Sequence, residues 1–349
     1  MRGHGRQGLR EVNLIRFTPI GFESLGVRSM CTFVETADVK ILIDPGAALG
    51  PRFRLLPHPR EYQALKDSRR SIRKYARMAD FLTVSHYHHD HFTPSFTDTT
   101  WLASNLQEAE HIYRDSTILA KDARSSTNVS QRRRGWIFQS FCRKINAKII
   151  AADSKSFRYG GTTVRFSAPL PHGEDSGELG SVLATVVESG SEKFIHASDV
   201  QGPMSNSALQ FILSERPSAI IIGGPPTYLS GVKVSESSIR RAMDNLTEAA
   251  RNVPLVMADH HMLRDPDSIR QLSAVSATVK PLGHSIMTAA DYVGRQPQLL
   301  EANRTTLYRD DPPPKQFIKW TKLPRKKQRE TKPPIERGMR KRSGSRGAN

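Results

Sequence analysis

Only two cysteines, Cys31 and Cys142, occur in 349 residues, far apart and with no CxxC pair. That spacing excludes a disulfide framework and a thiolate zinc site, and both thiols are expected to be buried and free. No run of 18 apolar residues is present, and the N-terminal MRGHGRQGLR lacks the apolar core of a secretory signal. The expectation is a cytoplasmic protein with no membrane partner. A GxSxG elbow, a P-loop and an HExxH segment are also missing, which sets aside serine-hydrolase, nucleotide-driven and zincin chemistry. Acidic residues are scarce, 34 against 52 Lys and Arg, for a net charge of +18.

That charge is unevenly placed. Residues 315–349 hold thirteen Lys or Arg against Glu330 and Glu336, and the arm 1–10 adds Arg2, Arg6 and Arg10. A stretch rich in Lys, Arg, Pro and Gly buries too little apolar surface to offset chain entropy, so 312–349 is expected to be disordered. It is either an electrostatic arm for nucleic acid or a solubilising tail. Between the ends the sequence predicts one domain over 11–311.

Apolar runs such as NLIRFTP, SMCTFVET, VKILIDPG and DFLTVS read as strands. HPREYQALKDSRRSIRKYARMA, starting near Pro59, reads as an amphipathic basic helix, and 104–145 as helix, strand STILA, then helix SQRRRGWIFQSFCRKI. KIIAA, TTVRFSA, SVLATVVES and KFIHAS follow as strands, after which strands SAIIIGG and PLVMAD alternate with helices. Strands first in meander and later alternating with helices predict a layered α/β domain.

Four of the twelve histidines fall within His86–His91, immediately after strand DFLTVS. Neutral imidazoles with carboxylates at a strand's end form a plausible ligand set for a divalent metal. His4, His58, His111, His196 and His284 stand apart and read as ordinary structural histidines.

His86-Tyr87-His88-His89-Asp90-His91 resembles the HxHxDH signature of the metallo-β-lactamase superfamily. Further positions follow in the order that family would require: Asp44 after KILI, His172 in PLPHG, Asp199 in SDVQGP, and His260 and His261 in DHHMLRD. Together with ESLGVRSMCTFVET, KDARSSTNVSQRRRG and GGPPTYLSG, these segments look like an uncharacterised archaeal branch of the superfamily, distantly similar to ascorbate-phosphate lactonase-type hydrolases. The resemblance implies a four-layer αββα sandwich with a two-metal site along one edge. It assigns His86, His88 and His172 to one metal, Asp90, His91 and His260 (or His261) to the other, and Asp199 to a bridge. Asp44 would support the ligands by hydrogen bonding. Residues alternating along an extended segment point opposite ways, so only one of His260 and His261 is expected to face an ion. His89 is left over.

Two divalent ions, Zn²⁺ or else Mn²⁺ or Fe²⁺, would share a bridging hydroxide and polarise a carbonyl or phosphoryl oxygen. The expected function is hydrolysis of a small anionic ester, lactone or phosphoester, with Asp90 and Asp199 as the catalytic carboxylates. The rival readings are a nuclease or phosphodiesterase working through the basic tail, and a non-catalytic nucleic-acid-binding protein with a structural metal. Only 61 positions separate Asp199 from His260, too few for the extra domain that superfamily nucleases carry there. Lys121, Arg124, Ser130, Arg132, Arg133 and Arg134, with Trp136, line a pocket for an anionic group or a phosphodiester, or form a solvated face. Tyr228 and Arg28 are expected to contact substrate, and Glu23 and Ser24 share the turn that carries Arg28.

Overall fold

A computed structural model of the chain describes residues 14–175 and 179–335. The arm 1–10 and the last part of the basic tail, 336–349, lie outside the described residues.

The short apolar runs become strands. β1 (Arg16–Phe22), β2 (Met30–Glu35), β3 (Lys40–Ile43), β4 (Phe81–Val84), β5 (Thr117–Ala120) and β6 (Lys148–Ala151) form one six-stranded sheet in that order. The first three pair antiparallel, and β3 through β6 run parallel. Parallel neighbours need crossovers. α1 (Pro59–Ala76), α2 (Leu106–Tyr113) and α3 (Val129–Lys144) lie in them. The chain then enters β7 (Ser156–Tyr159) and β8 (Thr162–Phe166), followed by the short ribbon of β9 (Leu170–Pro171) and β10 (Ser181–Val182). β11 (Thr185–Ser189), β12 (Glu192–His196), β13 (Ala219–Ile222), β14 (Leu255–Ala258) and β15 (Ser285–Met287) complete a second sheet with β7 and β8. Its parallel part, β12 to β15, is connected through α4 (Asn206–Glu215), α5 (Glu236–Asn252) and α6 (Ser268–Val279).

Successive side chains of a strand leave opposite faces, and here both faces are covered, which is why the strands read as unbroken apolar runs. Ile41, Ile43, Phe81 and Leu119 meet Val164, Val187, Phe194 and Ile221 between the sheets. Leu42, Leu82, Val84 and Ile118 face the other way and pack with Leu65, Ile72, Ile112 and Phe138 of α1, α2 and α3. In the second sheet Val186, Ile195, Ile220 and Val256 pack with Leu209, Ile212, Leu246 and Leu272 of α4, α5 and α6. The layers are therefore α, β, β, α, as the resemblance implies. Among the described residues no helix is long and apolar enough to cross a membrane.

The C-terminal expectation needs correction. Beyond α7 (Ala289–Tyr292) and α8 (Arg304–Asp310), residues 312–335 are not disordered but fold into α9 (Lys315–Thr321) and α10 (Arg325–Glu330). Phe317 and Trp320, one helical turn apart, are buried in the outer cluster against Tyr62 of α1, with ring centroids 5.8 and 5.7 Å away. The Thr99 amide donates to the Arg329 carbonyl at 2.9 Å. The composition of the tail, averaged over its length, hid two aromatic anchors whose burial holds the segment down.

Candidate metal centre

The loops that leave β3, β4, β12 and β14 converge, and they carry nearly every residue singled out by the sequence. Asp44, the first residue after β3, adopts a left-handed φ of 49°, a conformation that Asp tolerates better than most residues. Its side chain is fully buried and gathers the neighbouring loops. Oδ1 accepts from the Ser85 amide at 2.7 Å, and Oδ2 accepts from the Ser85 hydroxyl at 2.6 Å and from His91 Nδ1 at 2.8 Å. Ser85 Oγ in turn accepts from Ser198 Oγ at 2.7 Å and lies 3.0 Å from His86 Nδ1. Because the Ser85 proton goes to Asp44, its oxygen is left to accept from His86. His86 thus keeps its proton on Nδ1 and aims a bare Nε2 inward, the tautomer that an outer hydrogen bond selects in a metal-ligating histidine, while His91 gives its Nδ1 proton to Asp44 and turns Nε2 inward. Gly46 makes the close approach possible, since a Cβ there would lie 2.3 Å from the Phe92 amide nitrogen.

The remaining ligand candidates arrive from the second sheet. His172 follows β9, and its Nε2 lies 2.8 Å from Asp199 Oδ2. Asp199 comes two residues beyond β12's last neighbour, Ala197, and is buried. His260 follows β14, its Nε2 3.6 Å from Asp90 Oδ2 and 3.8 Å from Asp199 Oδ2. His261 Nε2 is 3.1 Å from the same Asp199 oxygen. The expectation that His260 and His261 point apart is corrected here. His260 has a φ of 57° and His261 is helical, so the segment is kinked rather than extended, and both rings turn toward Asp199. Asp259 braces that kink by accepting from the His260 amide at 2.7 Å and from the Ser24 hydroxyl at 2.6 Å.

Ligand-capable atoms gather into overlapping groups, each within 4.8 Å: His86, His88, His172 and Asp199; Asp90, His91 and His260; and Asp199, His260 and His261. Asp44 also groups with His86 and His91, but its oxygens are already occupied by the hydrogen bonds above. Burial and the neighbouring histidines hold His86 well below its usual range, while burial and His172 bring His88 down to about 3. Burial and the Arg264 guanidinium likewise bring His260 down to about 3. These rings are neutral, as ligands must be. Burial opposes ionisation of Asp90 and Asp199, yet the surrounding imidazoles prevail and hold both carboxyls below the ordinary range. His91 goes the opposite way. Burial works against its charge, but the Asp44 hydrogen bond and the charges of Asp44, Asp90 and Asp199 push it up to about 9. The pocket favours a positive charge beside His91.

A direct test of fit lies in the buried atoms without partners. His86 Nε2, His91 Nε2, His172 Nδ1 and Asp199 Oδ1 have no hydrogen-bond partner among the described residues. An unsatisfied buried polar atom costs on the order of 1–3 kcal/mol. Several within one cluster are the signature of lone pairs meant for a cation.

Three residues that sequence reasoning missed complete the surroundings: Ser85, Ser198 and Arg264. Arg264 is buried, pairs with Glu23 Oε1 at 2.8 Å, and reaches to 3.2 Å from His260 Nε2 and 3.3 Å from the Tyr228 hydroxyl. The signal for Arg264 is its place one turn after His260 in DHHMLRD; serine spacing offers none. Tyr228 does border the cluster, with its hydroxyl 3.3 Å from His261 Nδ1 and the Arg52 guanidinium over its ring. Arg28 is committed to a two-pronged pair with Glu301 at 2.6 and 2.7 Å. Lys121 is not a pocket cation either, being buried against Asp153 at 2.6 Å. His58, His196 and His284 bond to the backbone carbonyls of Asp311, Met30 and Ala250, and His111 is exposed at the end of α2; His4 lies outside the described residues.

No family model matches the chain. It is 41% identical over 294 residues to a UPF0282 protein of Methanopyrus kandleri, covering 84% of this chain and 99% of that protein. It is 38% identical over 292 residues to a UPF0282 protein of Methanocaldococcus jannaschii, covering 83% and 95%. Among solved structures, the metallo-beta-lactamase fold protein YhfI from Bacillus subtilis is similar at 16% identity, with 78% of this chain and 94% of that chain covered and a TM-score of 0.45.

Proposed function

The chain belongs to the UPF0282 family, and, taking its chemistry from the site itself, we propose that it is a metal-dependent hydrolase of an ester, lactone or phosphoester. The observation that carries this reading is the set of buried, partnerless ring nitrogens of His86 and His91 and the Asp199 oxygen, all turned into one cluster. His86, His88 and His172 would hold one divalent ion, Zn²⁺ for preference, and Asp90, His91 and His260 a second, with Asp199 between them. His261 is the alternative to His260. Bound there, such ions act as Lewis acids and bring the ionisation of water into the neutral range.

The chain's own residues do the rest. Asp44 and Ser85 fix the ring orientation of His91 and His86. Asp90 and Asp199 stay ionised at neutral pH and so can orient an attacking water by accepting its hydrogen bond. The Arg264 guanidinium, beside the Tyr228 hydroxyl, places a fixed positive charge and a hydrogen-bond donor where a carbonyl or phosphoryl oxygen would gain negative charge. Glu23 holds Arg264 in place from behind.

The test is metal content by mass spectrometry, combined with a screen of phosphodiesters, phosphomonoesters, lactones and thioesters. About two ions per chain and turnover of one class are expected, with both lost in Asp199→Ala. Fewer than one bound ion, with no turnover after Zn²⁺ or Mn²⁺ addition, overturns the reading.

A further inference from the structure

The ligand loop has a second side. His89, flanked by the candidate ligands His88 and Asp90, turns away from the cluster, and its ring packs on Phe92 and Phe96 with centroids 5.3 and 5.4 Å away. It forms part of the wall of a cavity of about 400 Å³ between that loop and α3, lined also by Ser130, Arg133, Arg134 and Ile137. The apolar walls are open: Phe96 is 45% exposed and Ile137 41%. Neither guanidinium has a carboxylate partner among the described residues; Arg133 is exposed, but Arg134 is half-buried, and most buried or half-buried cations elsewhere among the described residues have one, as Arg264, Arg304, Arg28 and Lys121 show. Arg134 donates to the Tyr87 carbonyl inside the ligand loop at 3.4 Å, which fixes it beside that loop. Burial holds its ionisation somewhat below the usual range, with only Asp90 opposing.

We infer that this cavity is a recognition subsite for a phosphate group attached to a planar ring, the chemistry of a nucleoside monophosphate. Two adjacent guanidiniums and the Ser130 hydroxyl match the several oxygens of a dianion better than the two of a carboxylate. The exposed ring of Phe96 offers a stacking surface that every nucleobase can use. The volume lies within the range of small-molecule sites. The subsite lies across the ligand loop from the cluster, and the Asp90 charge acts on Arg134. The substrate class this implies, a phosphorylated ring compound, rests on the hydrolase reading above; the binding itself does not.

Calorimetric titration of the full-length protein with adenosine monophosphate, adenosine and inorganic phosphate tests it. Adenosine monophosphate is expected to bind more tightly than either part. Arg133→Gln with Arg134→Gln should weaken it roughly tenfold or more, as loss of charged hydrogen bonds does. Phe96→Ala should weaken it about fivefold or more, as loss of base stacking does, and Arg134→Lys should restore part of the affinity. Metal content and thermal midpoint are measured on each variant, and in Arg133→Gln alone and Phe96→Ala, both at exposed positions, they are expected to match the parent. A 5′-phosphorylated RNA tetramer that binds no better than the mononucleotide assigns the subsite to a small molecule; much tighter binding assigns it to a strand end. Equal affinity in all variants overturns the inference, as does inorganic phosphate binding as tightly as the nucleotide. Nucleotide binding that follows this pattern in a protein without hydrolytic activity leaves the subsite standing and removes the hydrolase reading.

Discussion

His88 and His89 share a side chain and nothing else. The His88 ring lies 4.7 Å from His86 and 4.8 Å from His172 among the candidate ligands, while His89 rests on phenylalanines and joins no ligand group among the described residues. His88→Ala is therefore expected to lower metal affinity by at least the roughly 10–100-fold that loss of a mere outer partner costs. His89→Ala should keep its metal. Competition with a chromogenic chelator, read alongside mass-spectrometric metal content, checks the pair; equal loss in both variants would break the ligand assignment. The resemblance to the HxHxDH signature, in which His89 falls at a variable position, already separated these two positions in the sequence. Ser85 and Ser198 were not legible, and Arg264 offered only its place one turn after His260. Serines are common, and an arginine declares its role only when a fold brings it beside Glu23, hundreds of positions away.

At the scale of elements, most strands were legible because burial on both faces leaves no room for polar residues, and the chemistry was legible because it begins where those apolar runs stop. β7 and β15 escaped: one is polar and the other only three residues long, and both lie at the edges of the second sheet. The outer face of that sheet carries a cluster that ties elements together. Arg165 of β8 bonds Glu188 of β11 at 2.8 Å and Glu215 of α4 at 2.7 Å, and Lys193 of β12 joins both carboxylates at 2.9 and 3.0 Å. The Arg165 hydrogen bond, with Lys193, holds the Glu215 carboxyl below its usual 4.5. Burial acts against ionisation at Glu188, but the same two cations prevail and lower it too. A depressed carboxyl contributes stability above its unfolded value and loses it as pH falls through the folded one. Arg165→Met is therefore expected to cost roughly 0.2–1 kcal/mol per pair at neutral pH, the range for solvent-screened pairs. The cost should fall as pH drops through the folded-state values of the two carboxyls and vanish at an acid pH where both states are protonated. Urea unfolding at both pH values and in high salt measures it. An equal cost at acid pH would mean that Arg165 acts by packing and not by charge.

For the whole molecule, the C-terminal segment is where charge misled. Thirteen Lys or Arg after residue 314 describe a solvated tail by composition, yet cations on one face of a segment do not prevent two aromatics on the other from docking. Arg304, buried and paired with Glu61 at 2.7 and 2.8 Å, anchors the approach to this strap, and Trp320 Nε1 donates to the Thr331 carbonyl at 3.0 Å. The strap therefore belongs to the fold of the first sheet's helical layer. A chain ending after Asp311 would uncover Tyr62 and Leu65, and removal of each buried aromatic is expected to cost about 3–5 kcal/mol, read as a large fall in thermal midpoint. A chain ending after Ile335 should melt with the parent. The distinction decides how any nucleic-acid role of the basic residues can be tested: deleting 312–349 would lower affinity simply by destabilising the protein, so a loss seen there carries no weight. The informative variants are the chain ending after Ile335 and the strap with Lys326 and Lys327 changed to Gln, both with Phe317 and Trp320 in place. If these lose nucleic-acid affinity while keeping their midpoint, the tail is an electrostatic arm; if they bind as the parent does, its charge serves solubility alone. A midpoint unchanged by ending the chain at Asp311 would show that the strap is not part of the fold.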